Sequence, residues 1–110
     1  MSRENDGFPE DIINDYGNRV EAATVVKNRY YLFVDMRPAS VFASTAAKFK
    51  SKIQVKVDGE TVDAKSILML WCISNHLTRG KSFTIIAEGI DAAEAVDSLL
   101  EMVAFRFGEE

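Results

Sequence analysis

The chain has 110 residues, 47% hydrophobic and 27% charged, which is enough apolar material for one core and too little chain for two. Its single cysteine, Cys72, and single histidine, His76, exclude an internal disulfide and a four-ligand structural zinc site. The net charge of −4, from 17 acidic and 13 basic residues, argues against a general affinity for the nucleic-acid backbone.

No apolar stretch reaches the roughly 18–20 residues of a membrane span. The start, MSRENDGFPEDIIND, is acidic where a secretory leader is basic and then apolar, so the expected location is cytoplasmic. Residues 1–22 hold six acids and two bases and account for the whole net charge. They also contain a stretch dense in Asn, Asp and Gly, with Ile12, Ile13, Tyr16 and Val20 as larger apolar residues and Gly17 weakening any helix. This segment is expected to be an acidic extension, partly ordered at best, ahead of a domain over residues 23–110.

Ala23 to Val34 is rich in β-branched and aromatic residues and predicts a strand. Pro38 is tolerated in a first helical turn, and Ala39, Phe42, Ala43, Ala46 and Phe49 follow at helical spacing, predicting a helix over 38–50. Ile53, Val55 and Val57 alternate with polar residues, then Asp58-Gly59 supplies the positive φ angles of a two-residue hairpin, and 60–63 returns as a short strand.

Ser66 is an N-cap before the unbroken apolar run Ile67–Ile73. One face of a helix cannot bury seven consecutive residues, so either both sides are covered or part of the run is exposed as a docking patch. Ser82–Ala87 predicts another strand. Asp91 and Glu94 form an Asp-x-x-Glu capping arrangement ahead of Ala92, Ala95, Val96, Leu99, Leu100, Val103 and Phe107, with Gly108 as a stop. The order β-α-β-β-α-β-α predicts an α+β open-faced sandwich, a four-stranded antiparallel sheet with three helices on one face.

Four segments in this order carry a family resemblance: Arg37-Pro38-Ala39-Ser40, Phe49-Lys50-Ser51, Asp63-Ala64-Lys65-Ser66-Ile67-Leu68, and Ala87-Glu88-Gly89-x-Asp91-Ala92-x-Glu94-Ala95. From about Thr24 to Phe107 the chain resembles HPr, the histidine-containing phosphocarrier of the bacterial sugar phosphotransferase system. The resemblance implies the HPr fold, a bacterial cytoplasmic setting and no cofactor. In that family a histidine of the motif Gly-(Leu/Ile)-His-Ala-Arg-Pro-Ala accepts a phosphoryl group at a helix N-terminus, where N–H groups, the helix dipole and an Arg favour phosphate. Arg37 and Pro38 match the motif's Arg-Pro. Asp35 stands where the histidine belongs or, if two residues are inserted before the Arg-Pro, Phe33 does; neither is an imidazole.

Asp35 and Arg37 are therefore degenerate active-site positions. Asp35 is either a fixed negative charge partly imitating the phosphorylated state or an exposed loop residue that the site tolerates. Arg37 is either a relic phosphate ligand or a surface arginine pairing with Asp35. His76, in the polar loop 74–80, is either solvated or a displaced phosphoacceptor or metal ligand.

The family's second motif, Lys-Ser-Ile-(Leu/Met)-Gly, contains a serine phosphorylated by HPr kinase in many Gram-positive bacteria, on a helix that docks partners. Lys65, Ser66, Ile67 and Leu68 match it, with Met69 for the Gly. Ser66 becomes the candidate phosphorylation site, and Ile67, Leu68, Leu70 and Trp71 the candidate partner surface.

The function expected is a regulatory or interaction role related to the phosphotransferase system without histidine phosphotransfer, as in Crh proteins, which resemble HPr and lack the active histidine. The expected partners are phosphotransferase-system or catabolite-regulation proteins, among them an HPr kinase, with a homodimer left open and no metal, nucleic acid or membrane. The rivals are an active phosphocarrier using Asp35 or His76, and an HPr-fold domain recruited to an unrelated task.

Overall fold

The computed structural model describes residues 12–15, 18–25, 36–74 and 81–104, with the backbone alone for 12–15, 36 and 37. In chain order the elements are β1 (Ile12–Asp15), β2 (Arg19–Val25), α1 (Met36–Ala47), β3 (Lys52–Val57), β4 (Glu60–Asp63), α2 (Ile67–Cys72), β5 (Ser82–Glu88) and α3 (Ala92–Ala104). The strands form one sheet in the order β1-β2-β5-β3-β4, and every neighbouring pair is antiparallel. β2, β5, β3 and β4 make the expected four-stranded antiparallel body with three helices. No described helix is long and apolar enough to cross a membrane.

The alternation along each strand sorts the sheet into two faces. Val20, Ala87 and Ile53 share one row across it, and Ala22, Ile85, Val55 and Val62 share the next; all are buried. Phe42 of α1, Leu70 of α2 and Val96, Leu99 and Leu100 of α3 complete the same core. On the other face the corresponding row is Glu21, Ile86, Gln54 and Asp63, in which Ile86 is buried between partly exposed Glu21 and Gln54 and only Asp63 is fully exposed.

Three boundaries differ from the sequence reading, the first being α1, expected over 38–50, which runs Met36–Ala47. The strand expected to begin at Ala23 begins at Arg19, so a division between residues 22 and 23 falls inside β2. Residues 12–15, expected to belong to a partly ordered extension, form β1, a fifth strand paired from Ile12↔Ala23 to Asp15↔Val20. The spacing of Ile12, Ile13, Tyr16 and Val20 suits a short amphipathic turn, and no alternation marks a strand; β1 instead pairs along the edge of β2. Residues 26–34 lie outside the described residues, as do Phe107 and Gly108, expected at the end of the last helix.

The hairpin follows the sequence closely. Asp58 and Gly59 have φ angles of 52° and 82°, the left-handed pair that a two-residue connection between twisted strands requires.

A second loop contact joins distant parts of the chain. The Asp91 carboxylate accepts hydrogen bonds from the backbone N–H of Lys50 (2.8 Å), the backbone N–H of Ser51 (2.9 Å) and the Ser51 hydroxyl (2.5 Å). Its backbone carbonyl accepts from Ala95 N–H at 2.9 Å and so opens α3. Asp91 thus begins the helix as expected, but its carboxylate spans to the α1–β3 loop, where three donors converge.

Gly89 permits this approach. Its φ is 149°, and a Cβ there would lie 2.5 Å from Ser51 Oγ and 2.8 Å from Ser51 Cα. Its N–H donates to the Asn18 carbonyl at 2.7 Å, tying the β5–α3 turn to the start of β2 as well.

Two outcomes follow from these loops. Gly89→Ala lowers stability by about 1–3 kcal/mol, because it meets backbone as well as strained φ. Gly59→Ala, with nothing within 4 Å of the added carbon, costs only about 1 kcal/mol from φ. Urea midpoints of the two variants check the order.

The Ser51 hydroxyl first, then the Lys50 N–H, hold the Asp91 carboxyl below its ordinary value. A lowered folded value means that the contribution is complete above the unfolded carboxylate value and is lost as pH falls through the folded one. The urea midpoint of the native chain therefore drops on acidification below about pH 4. Asp91→Asn starts lower at neutral pH and falls less steeply, and equal slopes for the two chains contradict the assignment.

Candidate functional site

The second helix concentrates the features that point to recognition. Ser66 has extended backbone (φ −105°, ψ 113°), and its Oγ accepts from the Met69 N–H at 3.2 Å, an N-cap as the sequence indicates. The turn before it is built by Asp63, whose carboxylate accepts from Lys65 N–H (2.9 Å) and whose carbonyl accepts from Ser66 N–H (3.2 Å). The Lys65 ammonium donates to the Phe49 carbonyl at 2.9 Å, just beyond α1, so the entry to α2 is fastened to the neighbouring helix end.

With the entry fixed, the apolar run divides by helical geometry. Ile67, Leu70 and Ile73 recur every three residues; Leu70 and Ile73 are buried and Ile67 is half-buried. Leu68 (63% exposed), Met69 (41%) and Trp71 (50%) face outward, with Cys72 also exposed. Of the seven residues, two are thus core, one is half-buried and four are at the surface, so part of the run is exposed. α1, against which α2 packs, exposes Val41.

Leu70 is a correction to the sequence reading. It is wholly buried and therefore cannot touch a partner. Met69 and Val41, which that reading passed over, are exposed instead; the three-residue stripe identifies Met69 once Leu70 is known to point inward.

The histidine-motif positions are placed less fully. Arg37 and Pro38 lie in the first turn of α1, with Pro38 buried, as a proline near a helix start allows. The backbone places Arg37 beside the helix N-terminus. Phe33, Asp35 and His76 lie outside the described residues.

A shallow groove of about 250 Å³ opens near the hairpin on the side of the sheet opposite the described helices, lined among others by Arg19, Glu21, Lys56, Asp58 and Thr84. Arg19 pairs with Glu21 at 2.6 Å and Lys81 with Asp58 at 2.7 Å, all four partly exposed, so the groove has no dominant charge and the pairs contribute little to stability. Among the described residues, no three His, Cys, Asp or Glu side chains are grouped to hold a metal ion.

Comparison with known proteins matches this arrangement. Residues 20–104 match the family described as the PTS HPr component phosphorylation site. The HPr-like protein Crh of Halalkalibacterium halodurans is 37% identical over 67 residues, covering 61% of this chain and 77% of the relative. The crystal structure of HPr-C-His from Thermoanaerobacter tengcongensis superimposes with a TM-score of 0.72 at 37% identity, covering 82% of this chain and 97% of that one. Crh of Bacillus subtilis, whose crystal structure is described as a dimer with a swapping domain, gives 0.60 at 35% identity, covering 71% and 87%. The strand order of the body, the capped second helix and a family match spanning nearly all of the described chain lead to one assignment: this protein belongs to the HPr family of the sugar phosphotransferase system.

Proposed function

We propose that this chain is a regulatory or interaction protein of the phosphotransferase system, acting in the cytoplasm through α2, and that it does not carry phosphoryl groups on histidine. The observation that carries the reading is the combination of an Arg37-Pro38 helix start with no imidazole near it in sequence, the chain's one histidine being His76. In sequence Asp35 comes just before that segment, and a carboxylate carries one negative charge where a phosphohistidine carries nearly two.

Support for a working second motif comes from Ser66. Its hydroxyl sits at the start of a helix, where a phosphate gains from free N–H groups and a positive dipole end, and Lys65 precedes it. Modification there adds charge directly beside Leu68, Met69 and Trp71, altering what the exposed surface binds without moving the core. The partners of that surface are phosphotransferase-system or catabolite-regulation proteins, with an HPr kinase acting on Ser66.

Two reactions read by intact mass test this reading. With phosphoenolpyruvate and enzyme I, the chain gains no acid-labile phosphoryl group while an HPr control does; an adduct on Asp35 or His76 makes it a phosphocarrier and overturns the proposal. With HPr kinase and ATP, it gains one acid-stable phosphoryl group that Ser66→Ala abolishes.

The same substitution reports on the cap. Ser66→Ala lowers stability by about 1 kcal/mol, whereas Ser66→Asp keeps an accepting oxygen and loses little. Thermal melts of the two variants separate loss of the cap from loss of the modification site.

A further inference from the structure

Two contacts hold the chain where α1 ends. From the start of α3, the Asp91 carboxylate takes the N–H groups of Lys50 and Ser51. From the entry to α2, the Lys65 ammonium donates to the carbonyl of Phe49 at 2.9 Å. α1 closes just before this point with two tight turns, Lys48 N–H to the Thr45 carbonyl and Phe49 N–H to the Ala46 carbonyl. The Phe49 carbonyl therefore lies beyond the last helical turn, and it takes the Lys65 donor in place of a helical amide. Its position is set by the Phe49 side chain, which is partly buried and packed against the core.

The two contacts differ in kind. Asp91 joins a carboxylate to three donors, the third being the Ser51 hydroxyl. Lys65 joins a full positive charge to a neutral oxygen, and among the described residues no carboxylate takes its ammonium; the Asp63 carboxylate accepts the Lys65 backbone N–H instead. A cation held by a single neutral acceptor is open to exchange. A phosphate, with nearly two negative charges and three acceptor oxygens, outcompetes one carbonyl for an ammonium. The next residue in the chain is Ser66, whose Cα lies about 3.8 Å from that of Lys65, a separation that the flexible four-carbon stem of a lysine spans.

We propose that Lys65 is a two-position fastener, a device that presupposes the modification of Ser66 proposed above. With the serine free, its ammonium ties the entry of α2 to the Phe49 carbonyl; with a phosphate on Ser66, it leaves that carbonyl for the phosphate. The modification then does two things at once. It adds charge beside Leu68 and Met69, and it unties α2 from the end of α1. Leu70 and Ile73 stay buried and the Asp91 contact stays made, so the change is confined to the junction of the two helices.

For the test, phosphoserine is built into the full chain at position 66 during translation, so that the outcome depends on no kinase. The carbonyl carbon resonance of Phe49 is followed by NMR in the native sequence and in Lys65→Met, each with and without the phosphate. Lys65→Met alone is expected to shift that resonance, since it removes the donor. In the native sequence the phosphate is expected to shift it the same way and roughly half as far or more, and in Lys65→Met to leave it in place. An unmoved Phe49 resonance in the phosphorylated native chain overturns the proposal, and this comparison needs no variant. An equal movement in phosphorylated Lys65→Met also overturns it, because the phosphate then acts without the ammonium. Refusal of the chain by HPr kinase is a separate result, which counts against Ser66 as a modification site and not against the exchange at Lys65.

Discussion

The Asp91 carboxylate, holding the backbone of Lys50 and Ser51 and the Ser51 hydroxyl, joins the end of the first helical layer to the start of the third. Ser51 is 1% exposed, so its N–H and hydroxyl have no water to turn to, and a missing acceptor leaves buried donors unpaired. The contact also fixes where α1 ends and where α3 begins, and with both ends fixed the apolar stripes of the two helices fall on the same side of the sheet. Gly89 belongs to the same arrangement: only a residue without a side chain lets the β5–α3 turn lie against Ser51 while its N–H reaches Asn18.

Once the two long helices cover the inner face, α2 has little core left to contact. It is six residues long and commits Leu70 to the interior, followed by Ile73 where the chain leaves the helix. Its remaining apolar residues stay at the surface, and Ser66 and the Lys65–Phe49 bond hold them in one orientation. This exposed apolar turn, with the Ser66 hydroxyl at its start, is the surface on which the proposed interaction role rests, and it lies on the helical side of the sheet. The residues of α2 thus divide between a buried pair that holds the helix down and an exposed set that the core does not use.

Much of this organisation was legible in the residues because it rests on short-range rules. The alternation of Ile53, Val55 and Val57, the Asp58-Gly59 turn and the Ser66 cap are local, and each appears where the pattern places it. The family's motifs, spread in order along the chain, made the topology readable as well. β1 was not legible, since Ile12-Ile13-Asn14-Asp15 has no period of two and becomes a strand only against the edge of β2. Nor was the direction of Leu70, because a continuous apolar run carries no marking of which residue faces inward.

By itself the sequence determined the type of every described element except β1, the hairpin, the Ser66 cap and the family, and it placed a single histidine far from the Arg37-Pro38 helix start. Tertiary structure decided the partners of side chains across the fold. Asp91, whose spacing suggests a local cap, spans forty positions to Ser51 because three donors converge there. Leu70 and Trp71, adjacent and both apolar, separate into core and surface because a helix packed on one side has one inward stripe. An acidic segment that composition marks as an appendage becomes the edge of the sheet, because β2 presents backbone groups that remain unpaired until another strand supplies partners.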